Sequence, residues 1–557
     1  MSAQAGVRPA QGEAIRRRRD EVRTLDTHQS IRTGQEAPRA AYTLGIDIGT
    51  TAVKAILLSE RDIVHQSSAT HSLRSPQVGW AEEDAEQWWA NTLRVVRETL
   101  EAAPEAAGQI AAIGVSGMVP ALVLLDGDGR PLRATIQQND ARAVQELEEV
   151  RDALDQERLF ARTGGYSNLQ HVLPRLLWVR RHEPEIWART RTVLGSYDYI
   201  NYALTGVRAL EMNWAVESGM YDIRTGEWLD DSLALLGADP ELLPPVRPSG
   251  EIIGAVTEAA AAQTGLTAGI PVIAGSADHV ASTLAAGITE PGELLIKFGG
   301  AGDLLYCMDE IRPDPQLFFD CHVFPDAYLL NGCMASSGSL VKWYAEQMLQ
   351  DNSPDLFRRL DEEAARVAPG ADGLIILPYF LGEKTPIFDP QARGVLMGLT
   401  LSHTRGHIFR AVLEAVIYGF RHHIEVLEGI GCRATRVLAT NGGAKSRFWC
   451  QIAADVLGTE IRAYPGHPGS ALGVAFLAGK TAGLYRDWKD IERFLTEYAD
   501  YRPIPAHTAI YDEAYAVYRE LYPLLKPQFE RVNALYRDRT EAAQPPGAST
   551  TKGEHAS

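Results

Sequence analysis

Leu44-Gly45-Ile46-Asp47-Ile48-Gly49-Thr50-Thr51, continued by Ala52-Val53-Lys54-Ala55-Ile56-Leu57, reads as two short apolar strands around a tight Gly-Thr-Thr turn, the pattern of a β-hairpin. Asp47 stands where the first strand becomes the turn. A carboxylate at the end of a buried strand costs free energy unless a partner compensates it. Glycine, threonine hydroxyls and backbone N–H groups make such a turn a concavity for an anion, and a neighbouring carboxylate suits Mg²⁺, which takes carboxylate or water oxygens together with phosphate oxygens. Two readings stand side by side: a loop for a Mg-nucleotide, or an ordinary hairpin with an aspartate in its turn.

The pattern returns half a chain later. Gly292-Glu293-Leu294-Leu295-Ile296-Lys297-Phe298-Gly299-Gly300-Ala301-Gly302-Asp303-Leu304-Leu305-Tyr306 is again strand, glycine turn, strand. Strand-like and helix-like runs alternate between and beyond the two, which points to an α/β fold in two related halves meeting near Thr289-Glu290-Pro291-Gly292. Pro271-Val272-Ile273-Ala274-Gly275 reads as a buried strand running into Asp278. Because the chain turns helical from about Val280, Asp278 is either a helix cap or a functional carboxylate in a cleft. Arg436-Val437-Leu438-Ala439-Thr440 is a strand, Asn441-Gly442-Gly443-Ala444-Lys445-Ser446 a turn, and Arg447 to Leu457 a helix. Glycines at a strand-to-helix turn allow a flat base or a sugar to lie on backbone, although a tight turn without a ligand has the same composition.

The 557 residues carry a net charge of −18, from 54 basic and 72 acidic side chains. That length calls for two or three domains, and that charge disfavours a nucleic-acid partner, whose phosphate backbone requires a basic surface. No apolar run has the length of a membrane span, so no membrane partner is expected. The five cysteines include no C-x-x-C pair and are expected to be reduced thiols of a cytoplasmic protein. Residues 1–40, with Arg16-Arg17-Arg18-Arg19, lack the apolar segment of a secretory signal and are expected to form a disordered extension. The expected organisation is 1–40 extension, 41–290 first domain, 291–525 second domain, and 526–557 the end of a helix and a disordered tail.

In this order, Asp-x-Gly-Thr-Thr, the strand to Asp278, the Gly299 turn and Gly-Gly-Ala-Lys-Ser, the chain resembles the FGGY carbohydrate kinases of the actin-like ATPase superfamily. The most specific local match is Gly394-Val395-Leu396-Met397-Gly398-Leu399 followed seven residues later by His407-Ile408-Phe409-Arg410-Ala411-Val412-Leu413-Glu414, with the leader Leu377-Pro378-Tyr379-Phe380-Leu381-Gly382-Glu383-Lys384-Thr385-Pro386. The resemblance spans about residues 42 to 525. It implies two actin-like (ribonuclease H-like) α/β domains with a catalytic cleft between them, and ATP and Mg²⁺ as cofactors. Asp47 would be the metal carboxylate and Asp278 the catalytic base. Thr50, Thr51 and Lys54 would serve the first phosphate turn, Gly299 and Gly300 the second, and Gly442, Gly443 and Ala444 the adenosine. These residue types suit phosphoryl transfer, which needs positioned phosphates, neutralised charge and an acceptor for the hydroxyl proton.

Within the family the chain is most similar to the xylulokinases, through Gly114-Val115-Ser116-Gly117, Gln138-Asn139-Asp140-Ala141-Arg142 and the acceptor-side segment Glu211 to Gly219. The resemblance places the acceptor among Val119, Pro120, Asp140, Asp278 and His279, on the first half of the chain. Four positions depart from the pattern. Val119-Pro120 replaces a Met-His pair and removes a donor to the sugar. His279 follows the base where Asn or Gln is usual, Gln138 replaces a Trp, and Gly300 replaces a Thr. D-xylulose is therefore the best single expectation for the acceptor, with another ketopentose, a polyol or a sugar acid as alternatives and a homodimer as a candidate assembly. A nucleotide-binding sensor on the same fold is the reading from another class. It would be expected to lack the base or to carry a DNA-binding appendage, and neither describes this sequence.

Overall fold

A computed structural model describes residues 41–542; the expected extension at 1–40 and the tail beyond 542 lie outside the described residues. The opening hairpin forms as expected. β1 (Tyr42–Ile48) and β2 (Ala52–Leu58) pair antiparallel with Asp47 opposite Lys54, and the Gly49 N–H donates to the Ala52 carbonyl across the turn at 3.1 Å. β3 (Ile63–Thr70) flanks β2, and β4 (Ile110–Gly117) lies parallel to β1 on the other side. β5 (Ile252–Ala255) and β6 (Pro271–Ile273) are antiparallel to each other, with β6 parallel to β4. The short β7 (Ser276–Ala277) also runs parallel to β4. Gly275, between β6 and β7, has φ +89, and a Cβ there would lie 2.0 Å from the Val115 carbonyl oxygen. Only glycine lets the chain pass so close to β4 in that conformation, and this crossing delivers Asp278 to the end of the sheet.

The second half repeats the plan. β8 (Glu293–Phe298) and β9 (Gly302–Met308) form a hairpin. β10 (Phe318–Cys321) and β11 (Tyr328–Met334) continue the sheet beyond β9. β12 (Arg436–Thr440) and β13 (Ile461–Ala463) follow β8 in parallel, and β14 (Ala499–Tyr501) closes the edge antiparallel. The strand orders are β5-β6-β4-β1-β2-β3 and β10-β11-β9-β8-β12-β13-β14. In each sheet a hairpin is flanked by antiparallel strands on one side, one in the first sheet and two in the second, and by two parallel strands and an antiparallel edge on the other. The central strands are apolar on both faces, as parallel strands covered on both sides must be.

Five helices matter for the site: α1 (Met212–Glu217), α2 (Asp278–Ala285), α3 (Arg447–Leu457), α4 (Ser470–Thr481) and α5 (Pro505–Ala542). α2 and α4 lie between the sheets. Leu44, Ile46 and Val115 of the first sheet, Leu284 of α2, Leu472 and Phe476 of α4, and Leu295 and Leu438 of the second sheet share one apolar core. α4 follows β13 in sequence yet packs on β1 and β4, so a division of the chain near residue 290 does not divide the packing. The two helices cross backbone on backbone: a Cβ on Gly473 would lie 2.0 Å from the Ala281 carbonyl oxygen. α5 runs without interruption through the expected boundary at 525. No helix among the described residues is long and apolar enough to cross a membrane.

Candidate active site

Strand register brings the two singled-out carboxylates together. β1, β4 and β7 are parallel, Ile48 and Ala277 both pair with Gly117, and their carboxyl ends therefore share one edge, the usual position of a ligand crevice in such sheets. Asp47 is buried, and the Ser116 hydroxyl, beside it in register, donates to its Oδ1 at 2.9 Å. Burial first, and then the negative charge of Asp278, push its pKa up to about 6, against hydrogen bonds from Ser470 and Ser116 and the charge of Lys54. Asp278 opens α2, but Ala277 occupies the cap position and no side chain caps the helix. The capping reading of Asp278 therefore does not hold. Its side chain is 39% exposed and lines a cavity.

Two cavities meet at the glycine turn after β8. The larger, of about 1170 Å³, is lined by Lys54, Gly299, Gly300, Asn441, Gly442 and Gly443, among others. Register explains the grouping, since Lys297 pairs with Thr440 and puts the turns after β8 and β12 side by side. Gly442 presents bare backbone to this cavity. At Gly443 a Cβ would instead meet the Trp449 ring of α3 at 2.5 Å, so its missing side chain serves the packing of the cavity floor. Ala444 is buried and does not line the cavity.

The smaller cavity, of about 310 Å³, holds Thr50, Val119, Gln138, Glu217, Asp278 and His279 from the first half. It also holds Lys297, Ala301, Asp303, Asp320, Cys333 and Lys384 from the second. The expected acceptor residues Val119, Asp278 and His279 of the first half thus share their cavity with a wall from the second half. Two expected contacts are absent from the lining. Pro120 is buried behind Val119. Asp140 is committed elsewhere: its Oδ2 accepts from the Ala81 N–H at 2.6 Å and from Arg142 Nη2 at 2.7 Å, and its Oδ1 from Arg142 Nε at 2.8 Å. That buried ion pair holds a loop, with the Arg142 guanidinium 3.8 Å over the Trp80 ring.

Charged residues that sequence reasoning passed over dominate this cavity. Lys297 Nζ lies 3.2 Å from Asp303 Oδ2. His279 Nε2 lies 3.1 Å from Asp320 Oδ2 and 3.7 Å from Glu217 Oε1, and its Nδ1 lies 3.6 Å from Asp278 Oδ1. Burial lowers the His279 pKa, but Asp320, Asp278 and Glu217 outweigh it and raise it well above the usual histidine value. Burial and the nearby Asp320 charge raise Glu217 well above the carboxylate range. The available signal was a charge inside an apolar strand, as in Leu295-Ile296-Lys297-Phe298 and Phe318-Phe319-Asp320, which the pattern of a buried strand does not explain.

Asp47 also satisfies the test for a metal carboxylate. Its charge is buried and only partly compensated, the condition that a cation relieves. A single carboxylate beside a phosphate-sized turn is the donor set of a Mg²⁺ ion that keeps water and phosphate oxygens.

A duplicated actin-like fold with a nucleotide-sized cavity on one side of a glycine turn, and a polar cavity bearing a free carboxylate on the other, defines a phosphotransferase. The sequence matches the models of the FGGY family of carbohydrate kinases, N-terminal domain over residues 42–285 and C-terminal domain over residues 313–482. The chain belongs to the FGGY family of carbohydrate kinases, sugar kinases that use ATP. It is 30% identical to the xylulose kinase of Bacillus subtilis over 485 residues, 86% of this chain and 96% of that one. It is 26% identical to the gluconokinase of the same organism over 502 residues, 88% and 98%. The crystal structure of xylulose kinase from Rhodospirillum rubrum superimposes with a TM-score of 0.84 at 44% identity, covering 88% of this chain and 100% of that one.

Proposed function

We propose that the chain transfers the γ-phosphoryl group of ATP to a hydroxyl of D-xylulose, in the cytoplasm, with the acceptor in the smaller cavity and the nucleotide in the larger. The observation that carries this reading is the Gly299-Gly300-Ala301 turn: Gly299 and Gly300 line the larger cavity and Ala301 the smaller. A phosphate chain laid over that turn points its terminal group at the acceptor. Asp278, exposed in the smaller cavity, accepts the proton of the attacking hydroxyl. Thr50, Thr51 and Lys54 hold the phosphates from the first half, Gly299 and Gly300 from the second, and Gly442 and Gly443 support the adenosine. Asp47 would hold Mg²⁺, which supplies neutralisation of the phosphate charge. Residues 41–290 thus carry the base and the metal carboxylate, and 291–525 most of the nucleotide site. The five cysteines are all free thiols, in keeping with a reducing compartment.

One observation favours a second acceptor. Lys384 lines the smaller cavity, its Nζ 3.8 Å from Cys333 Sγ, and among the described residues no carboxylate oxygen lies within ion-pair distance of it. A sugar acid would supply the missing charge. The deciding measurement is kcat/KM for D-xylulose, gluconate and a panel of polyols. Preference for D-xylulose supports the first reading; preference for gluconate, lost in Lys384→Met, supports the second. In either case Asp278→Asn should lower kcat by about 10²–10⁴ with ATP affinity kept, and near-wild-type turnover would remove Asp278 from the mechanism.

A further inference from the structure

Glu217 ends α1, His279 is the second residue of α2, and Asp320 lies in β10. They converge on the smaller cavity, with one ligand atom from each within 4.8 Å of the other two. Asp320 is 1% exposed at its side chain and His279 13%. Among the described residues no lysine or arginine nitrogen forms an ion pair with either carboxylate. Glu217 Oε1, His279 Nε2 and Asp320 Oδ1 make no hydrogen bond, although all three are buried; buried polar atoms normally find a partner. Across a small gap His279 Nε2 faces Glu217 Oε1 and Asp320 Oδ2, the latter also accepting from Asn331 Nδ2 at 3.2 Å, which leaves Asp320 Oδ1 without a partner.

The spacing of that gap is informative. Bonds of about 2.0–2.2 Å to a metal, at tetrahedral or octahedral angles, set neighbouring ligand atoms roughly 3.0–3.6 Å apart. The 3.1 Å separation of His279 Nε2 from Asp320 Oδ2 falls in that range and the 3.7 Å separation from Glu217 Oε1 lies just beyond it, in directions that make no hydrogen bond. The other ring nitrogen faces the Asp278 carboxylate at 3.6 Å, on the side where a carboxylate that moved closer would orient a metal-binding imidazole.

We propose that Glu217, His279 and Asp320 form a divalent transition-metal site, separate from Asp47, for an ion of the zinc type. The imidazole ligand selects such an ion over Mg²⁺, which prefers oxygen alone. The ion would supply positive charge between the two carboxylates. Its remaining positions open into the cavity and accept a pair of adjacent acceptor oxygens, hydroxyl or carbonyl; this last role rests on the acceptor reading of the cavity. It gives the pocket the polar anchor that Pro120 does not supply.

The test is a titration of the metal-stripped full chain with Co²⁺, in the presence of Mg²⁺, followed by visible absorption. Wild type and Asp47→Asn should bind one equivalent with nitrogen–oxygen ligation. Glu217→Gln and Asp320→Asn should weaken binding at least tenfold. In crystals of the wild-type protein grown with Co²⁺, the anomalous peak should lie among the three side chains, a readout that needs no variant. Absence of saturable absorption in the wild type, unchanged affinity in both variants, or a peak elsewhere would overturn the proposal and leave a histidine between two carboxylates. D-xylulose should alter the Co²⁺ spectrum. Co²⁺ bound as described while no sugar binds would uphold the metal site and count against the acceptor reading alone.

Discussion

At Asp47 the chain holds a buried carboxylate whose pKa stands at about 6. Without metal, the folded state binds that proton more tightly than the unfolded chain does. The associated stability is fully present below the ordinary carboxylate range and is lost as pH rises through about 6, a loss on the order of 3 kcal/mol. Urea unfolding in EDTA at pH 4 to 7 should show this decline in the wild type and a flatter profile in Asp47→Asn; equal slopes would mean that the burial of Asp47 is compensated. The proposed metal role of the same residue gives a second test. Asp47→Ala should weaken binding of Mg-ATP more than binding of metal-free ATP, and calorimetry of both ligands decides it. Asp47 and Asp278 were legible in the sequence because each ends an apolar strand at a turn, a place where packing alone does not ask for a carboxylate. Glu217 and Asp320 were not, because their meaning arises only when α1 and β10, a hundred residues apart, are brought face to face. Asp140 misled for the opposite reason: its motif was intact, but its partners Ala81 and Arg142 take up the carboxylate.

Among the elements, the two hairpins could be read directly, since an apolar run, a glycine turn and a second apolar run leave few alternatives. The placement of α4 could not. Ser470–Thr481 is apolar on nearly every side, which marks a helix buried all round but does not say between which layers. Its neighbours are fixed by small residues that permit contact at backbone distance. Gly473→Ala should therefore drive a methyl group into the Ala281 carbonyl and destabilise the protein by about 1–3 kcal/mol. Gly127→Ala, where a Cβ meets nothing within 4 Å, should stay within about 0.5 kcal/mol of wild type. Urea midpoints of the two variants test the pair, and equal stability would show that the helices can part without cost.

For the molecule as a whole, both cavities draw on both halves: Lys54 reaches the larger, and Lys297, Asp303 and Lys384 reach the smaller. With ATP in the larger cavity and the acceptor in the smaller, as proposed, each ligand should favour the same closed arrangement, and such coupling is reciprocal. A non-hydrolysable ATP analogue should bind about 5–150-fold more tightly in the presence of saturating acceptor, and the acceptor should gain by the same factor. Titrations in both orders measure this, and independent affinities would mean that the halves do not move together. The two-half plan was visible in the repeat of strand, glycine turn and strand; the shared wall of the acceptor cavity was not, because it depends on how the sheets face each other.

The seating of α4 on β1 and β4 also bears on how the chain is made. Synthesis delivers the first sheet early, but its cover arrives only when residue 481 has left the ribosome. Until then the face of β1 and β4 that carries Gly45 and Gly114, where α4 seats Ala471, Ala475 and Val474, has no permanent partner. A nascent chain in that condition leaves one face of a sheet open to its neighbours. The first sheet is thus covered on one face by its own half and on the other by the C-terminal half, and that second face is completed only after most of the polypeptide has been translated.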